Sequence, residues 1–347
     1  MKLSGALFGL VAENAAAFNC TESCTCSEDL VQCISGELTE APESFPDQIQ
    51  LIDIRNNMIE YFALKKLPSL DLKYMYLSNN SIEQIEDLNR HSFPELEELD
   101  LSNNKLKWLP MGMLRRMSML QRLDLSFNSL VSLSTIRIPS SLSFASFQAN
   151  RIESIPKRGF LDVAHNLAIL DLSLNKIETV RTGAFNNAHN LQKLDLSSNI
   201  IDNLQNHAFS GLSNCRELSL RDNLINDIMP NVLKNFGSDV PQIPGGRNII
   251  DLRNNELFTI LDDWISVFGP STDECNDSFC PKTTEILLQS NPLFCDCGLQ
   301  EVRDRYGRFI GDLEYAKCVN NNFDEPVTLA KFQDDSCCAP ELTLLIN

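Results

Sequence analysis

Twelve cysteines, four histidines and a set of evenly spaced aspartates are the side chains of this 347-residue chain most able to do chemistry. Histidine beside a nucleophile or carboxylate would point to acid–base catalysis, and clustered cysteines to a metal or to disulfides. His91, His165, His189 and His207 are scattered, and none stands beside a nucleophile elbow or a metal pair. No catalytic residue, metal site or cofactor is expected. The cysteines do form a pattern: Cys20, Cys24, Cys26 and Cys33 near one end, Cys295, Cys297, Cys318, Cys337 and Cys338 near the other, a close pair Cys275 and Cys280, and Cys215 alone. These are not the C-x-x-C pairs of a cytosolic zinc site, so they argue for disulfides in an oxidising compartment.

The aspartates point to elements that must position them. Asp53, Asp100, Asp124, Asp171, Asp195 and Asp251 each lie between two aliphatic residues of the pattern L-x-x-L-x-L-x-x-N-x-L, where L is any aliphatic side chain. The pattern's asparagine recurs as Asn57, Asn80, Asn104, Asn128, Asn150, Asn175, Asn199, Asn223, Asn255 and Asn291, with gaps of 23, 24, 24, 22, 25, 24, 24, 32 and 36 residues. This is the signature of a leucine-rich repeat. Leu99 and Leu101, two apart, face one way from a short strand, and one unit cannot bury that face alone. Units therefore stack, with parallel strands along one side. The asparagine amide both donates and accepts, and is expected to form an internal ladder with main-chain groups. Phe160, Phe185 and Phe209 recur beyond it and should form an aromatic spine on the outer layer. The predicted fold is an α/β solenoid, a horseshoe of about ten repeats with its strands on the concave face.

The residue between the second and third aliphatics faces outward on that concave side, giving Asp53, Tyr76, Asp100, Asp124, Ser146, Asp171, Asp195, Ser219, Asp251 and Leu287. At the usual strand spacing this column is about 43 Å long. Two residues on, the column is mainly serine with Arg55, Arg221 and Arg253. Aspartate followed by serine is common filler in this repeat type, so the departures carry the specific information: Phe127, Phe144, Ile169 and Leu174 stand where polar residues are usual. Neighbouring exposed apolar groups suggest a contact site. The candidate ligand-binding set is Tyr76, Asp100, Asp124, Phe127, Phe144, Ile169, Asp171, Leu174 and Asp195. A competing reading has Phe127 and Leu174 half-buried by the turn.

The remaining segments fit a secreted solenoid. Met1 and Lys2 precede an apolar run from Leu3 to Ala12 and the small residues Ala15, Ala16 and Ala17, which reads as a signal peptide over 1–17. No later stretch is long enough to span a membrane. A net charge of −18, with 29 basic residues scattered among 47 acidic ones, excludes nucleic acid as a partner; a protein ligand with a basic surface, or a small polar ligand, is easier to accommodate. An N-terminal cap is expected over 18–46, repeats over 47–291, a second cap over 292–340 and a tail over 341–347. Leu299, Val302, Tyr306 and Phe309 fall at helical spacing and should lay one apolar face over the end of the core. Insertions near 228–248 and 264–282 lengthen two repeats and are expected to protrude as loops, with long helical spacers as the alternative. Sequons at Asn19, Asn79 and Asn276 would be glycosylated in a secreted protein.

Repeats with cysteine clusters at both ends resemble the extracellular leucine-rich repeat proteins: Slit-like, Toll-like and Nogo-receptor-like ectodomains and the small leucine-rich proteoglycans. The resemblance covers residues 20 to 338. It implies protein recognition without catalysis, most often on the concave face, and disulfide caps that pair first with third and second with fourth cysteine. Here that gives Cys20–Cys26, Cys24–Cys33, Cys295–Cys318 and Cys297 with Cys337 or Cys338, while Cys275–Cys280 would close a local loop. The spare C-terminal cysteine is then either free or a disulfide link to a second chain. A secreted matrix, adhesion or immune recognition protein is the leading reading; the alternatives are a receptor ectodomain missing its anchor and a non-catalytic subunit of a secreted enzyme.

Overall fold

A computed structural model of the chain describes residues 24–34, 37–64, 67–68, 71–86, 92–157, 161, 164–229, 231–240, 247–260, 284–319 and 325–333. Among these, one sheet runs through twelve strands in chain order. It begins with the antiparallel pair Thr25–Cys26 and Leu30–Gln32, then continues in parallel from Leu51–Asp53 and Tyr74–Tyr76 to Asn248–Asp251 and Thr284–Leu287. Every step keeps the repeat register, so Leu99 pairs with Leu123 and Asp100 with Asp124. The parallel strands are three or four residues long because only the alternating aliphatics need an extended backbone. Leu99, Leu123, Leu170, Leu194 and Leu218 are all fully buried in one continuous core.

The asparagine ladder is what lets such short strands stop together. Each ladder asparagine accepts an N–H from the preceding turn at 2.9–3.1 Å. Its amide donates to a carbonyl of the preceding turn and to carbonyls of its own; for Asn128 these are Leu101, Leu125 and Ser126 at 2.9, 3.1 and 3.1 Å. Buried main-chain groups that leave the sheet are thereby satisfied. On the convex side Phe185 and Phe209 are fully buried, with ring centroids 5.8 Å apart. Phe160, the third member of the expected spine, lies outside the described residues.

Both ends are closed. Cys24 is bonded to Cys33 and Cys295 to Cys318. Cys26 and Cys297 are disulfide-bonded as well, and the partners expected for them, Cys20 and Cys337 or Cys338, fall outside the described residues. So do Cys275 and Cys280. Cys215 fills the first aliphatic position of its repeat as a buried free thiol, and burial pushes its pKa up to about 12, so it behaves as a small hydrophobe. At the C-terminal end, helix Cys297–Tyr306 starts on Asp296, whose carboxylate accepts the Leu299 N–H at 2.8 Å. Leu299, Val302, Tyr306 and Phe309 are buried.

One carboxylate closes the last strand edge. Asp312, 8% exposed, accepts the N–H groups of Leu288 at 2.9 Å and Gln289 at 2.6 Å, donors that would otherwise have met an eleventh repeat. Burial raises its pKa against the pull of those two bonds. A carboxyl raised in the fold contributes stability at low pH that is lost as pH rises from about 3.8 through the raised value; Asp171, also raised by burial, adds to the same trend. Asp53 acts in the opposite sense. Burial works against its charge, but bonds from Arg55 and Gln32 leave its pKa lowered, so its contribution is lost as pH falls below 3.8. Asp312→Ala is expected to cost about 2 kcal/mol by orphaning the buried Leu288 N–H and the part-buried Gln289 N–H. Asp312→Asn should keep an acceptor and flatten the decline above pH 3.8, which denaturant titrations across that range would measure.

The first insertion corrects an expectation. Within it, residues 231–240 do not protrude: Val232, Leu233 and Phe236 are buried, and the Gly237 N–H bonds the Leu212 carbonyl at 3.0 Å. Gly237 has φ +64° and lies so close to Asn248 that a Cβ would come within 2.3 Å of its amide nitrogen. Apolar residues among the prolines and glycines make the segment a spacer laid along the solenoid. The second insertion, near 264–282, lies outside the described residues.

Candidate recognition surface

Three columns of side chains leave the sheet on its concave side and at its edge. In the aspartate column the structure gives one carboxylate oxygen a local task. Oδ1 of Asp100, Asp124, Asp171 and Asp195 accepts both the N–H and the hydroxyl of the serine two residues on, at 2.9 Å and 2.6–2.7 Å. Asp53 and Asp251 instead hold Arg55 and Arg253 in two-point contacts of 2.6–2.9 Å. The aspartate–serine pair is thus a turn device that ends the strand.

The adjacent concave column, two residues earlier in each strand, holds Phe144 and Ile169, which the sequence reading named, together with charged and aromatic neighbours that it missed. It runs Leu51, Tyr74, Glu98, Arg122, Phe144, Ile169, Lys193 and Glu217 in register. Phe144 is not a bare apolar contact. The Arg122 guanidinium lies 3.8 Å from its ring centroid, and Arg122 is held from the other side by Glu98 at 3.1 Å. Tyr74 and Tyr76 stack with centroids 6.5 Å apart, the Tyr76 hydroxyl donates to Glu98 at 3.0 Å, and Arg55 covers the Tyr76 ring at 5.1 Å. Burial first, then the bond and charge of Glu98, push the Tyr76 pKa up to about 12, so it stays a neutral donor. Arg55, Tyr76, Glu98, Arg122 and Phe144, on five consecutive turns, therefore form one connected surface, with Ile169 (37% exposed) and the Lys193–Glu217 pair at its far end. The available signal was the same two-residue alternation that revealed the aspartates.

Tyr76, Asp100, Asp124, Phe144, Ile169, Asp171 and Asp195 are brought together on this sheet. Phe127 and Leu174 are not strand residues: they lie in the turn before the ladder asparagine, with φ +53° and +55°, and are 53% and 48% exposed. Every repeat places a residue there in the left-handed region. Asn79 occupies the same position, exposed, its amide 2.9 Å from Asn56 Oδ1. Asn19 and Asn276 lie outside the described residues. A further asparagine row, Asn166, Asn190 and Asn214, precedes the strands and donates to the carbonyls of Ser140, His165 and His189 at 2.5–2.9 Å. Those histidines are spectators at their own backbone. Among the described residues no group of three or more histidine, cysteine or acidic side chains is placed to hold a metal, and no helix is long and apolar enough to cross a membrane.

The family model for the leucine rich repeat matches residues 71–130, 147–201 and 189–238. Human leucine-rich repeats and immunoglobulin-like domains protein 3 is 28% identical over 167 residues, 48% of this chain and 15% of that protein. Human lumican is 27% identical over 171 residues, 48% of this chain and 49% of lumican, so the chain spans half or less of either relative. In the solved Toll–Spatzle complex, which concerns Drosophila development and innate immunity, a chain superposes with a TM-score of 0.64 at 21% identity, covering 82% of this chain and 38% of the other. At that identity the likeness is one of fold. Repeat pattern, strand register, asparagine ladder and disulfides near both ends agree, and the chain folds as a leucine-rich repeat solenoid.

Proposed function

We propose that this chain is a secreted, non-enzymatic recognition module of matrix, adhesion or immune type, which binds a partner protein through its concave sheet. The observation that carries the reading is the connected Arg55–Tyr76–Glu98–Arg122–Phe144 surface. Arginine and tyrosine are the side chains that most often dominate protein contacts, and here their geometry is held before any partner arrives, which lowers the entropy lost on binding. The aspartate column and Glu97, Glu98 and Glu217 favour a basic surface on the partner. The relatives support protein binding as the class, and the Toll–Spatzle structure is that of a complex.

The test begins with partner capture from the native extracellular fluid and then compares kinetics. Phe144→Ala should mainly raise the dissociation rate, at a cost of about 1–3 kcal/mol, because it removes the platform under Arg122. Asp124→Lys and Asp171→Lys should slow association in a salt-dependent manner. Unchanged rates in all three folded variants would refute the concave site.

A further inference from the structure

We infer that the turn edge beside the sheet, centred on Phe127, Ala149 and Leu174, is a second docking surface for an acidic segment carrying large apolar side chains. It is separate from the concave site. The ten left-handed turn positions are Asn56, Asn79, Asn103, Phe127, Ala149, Leu174, Ser198, Asp222, Asn254 and Ser290. Asparagine and aspartate suit this conformation, whereas bulky side chains carry a steric penalty there. Elsewhere the small polar residues also link neighbouring turns: Asn79 donates to Asn56, Asn103 to Asn79, and Asn254 to Asp222. Phe127, Ala149 and Leu174, on three successive turns, replace that row with apolar side chains, the two large ones about half exposed. They give up both backbone ease and cross-turn bonds without entering the core.

The charge beside them selects the occupant. Two residues further along each turn stand Lys105, Ser129, Arg151 and Lys176; the three cations are exposed, and none is in a salt bridge among the described residues. In a chain of net charge −18, unpaired cations bordering exposed apolar groups complement carboxylates flanking apolar anchors. At the strand spacing, Phe127 and Leu174 are about 10 Å apart and the cations extend over about 14 Å, within reach of four or five extended residues.

The probe is a display library of random 12-residue peptides selected on the native chain, with the Phe127→Asn/Leu174→Asn double variant as counter-selection. Enriched peptides should carry carboxylates together with at least two large apolar residues. Their affinity should fall about tenfold or more on the double variant and on Lys105→Glu/Arg151→Glu/Lys176→Glu, yet hold on Phe144→Ala. The double variant's thermal midpoint should stay within about 2 °C of the parent or rise, since relief at the turn offsets the half-buried area lost. A fall well beyond that would make the two side chains structural and overturn the inference. So would enrichment of basic peptides, no enrichment over background, or peptide affinities equal on parent and double variant. Self-association of the parent that the double variant abolishes would assign the edge to a second copy instead.

Discussion

Asn128→Ala should be among the most damaging single changes in the chain, costing roughly 3–4 kcal/mol. The side chain is 8% exposed and makes four bonds, accepting from Leu106 N at 3.0 Å and donating to Leu101, Leu125 and Ser126 carbonyls. Alanine leaves the Leu106 N–H without a partner and takes one of two donors from the Leu101, Leu125 and Ser126 carbonyls, which keep Asn104, Asn150 and the Asn103 N–H; a buried polar group costs far more unpaired than a made bond returns. Asn128→Asp discriminates between loss of volume and loss of chemistry. Aspartate is nearly the same size and keeps the acceptor, but it points a second carboxylate oxygen at three carbonyls. It should therefore destabilise at least as much as alanine at neutral pH and recover partly in acid, once protonation restores a donor. Denaturant midpoints for the two variants at both pH values check this. An Asn128→Asp protein close to wild type would mean the ladder contributes little beyond packing.

That side chain also marks where the sequence was informative. The ladder, the strand register and the buried leucines were legible because each follows from a repeated spacing, and stacking multiplies one local rule ten times. The end closures were legible in part. The helix face of Leu299, Val302, Tyr306 and Phe309 has a period of its own, whereas Asp312 is a single carboxylate in a segment that repeats nothing, and only the unpaired edge of Thr284–Leu287 explains it. The left-handed turn was overlooked although it left a trace: asparagine or aspartate fills five of its ten positions, residue types that tolerate positive φ. The competing reading of Phe127 and Leu174 as half-buried turn residues is the one the structure supports, and that column would have decided for it. Arg122 over Phe144 is harder to read, because it depends on the direction two long side chains take across neighbouring turns, which hydrophobic period does not encode. The packed segment 231–240 was misjudged for a related reason: prolines and glycines flagged a loop, while Val232, Leu233 and Phe236 carried the burial.

Phe209→Ala is expected to cost about 3–5 kcal/mol, the range for removing a fully buried aromatic from a core that can collapse only partly. Phe209 is 0% exposed and stacks on Phe185 with an interplanar angle of 16°, so its ring is both core volume and the convex link between two turns. Phe209→Leu keeps most of the volume and should cost less than half as much. The link can be separated from the volume. If stacking couples the turns, Phe185→Ala and Phe209→Ala together should cost less than the sum of the single changes, because either alone already removes the ring pair. Native-state hydrogen exchange then reports where the loss is felt. In a solenoid each turn contacts only its neighbours, so the Phe209→Ala protein should lose protection first in the strands Lys193–Asp195 and Glu217–Ser219 that bracket the cavity, while Leu51–Asp53 and Tyr74–Tyr76 keep theirs. Uniform loss of protection from end to end would instead show that the ladder, running unbroken through all ten turns, makes the solenoid one cooperative unit. The concave recognition surface would then depend on the stability of distant repeats, and a convex-side cavity would weaken partner binding without touching a contact residue.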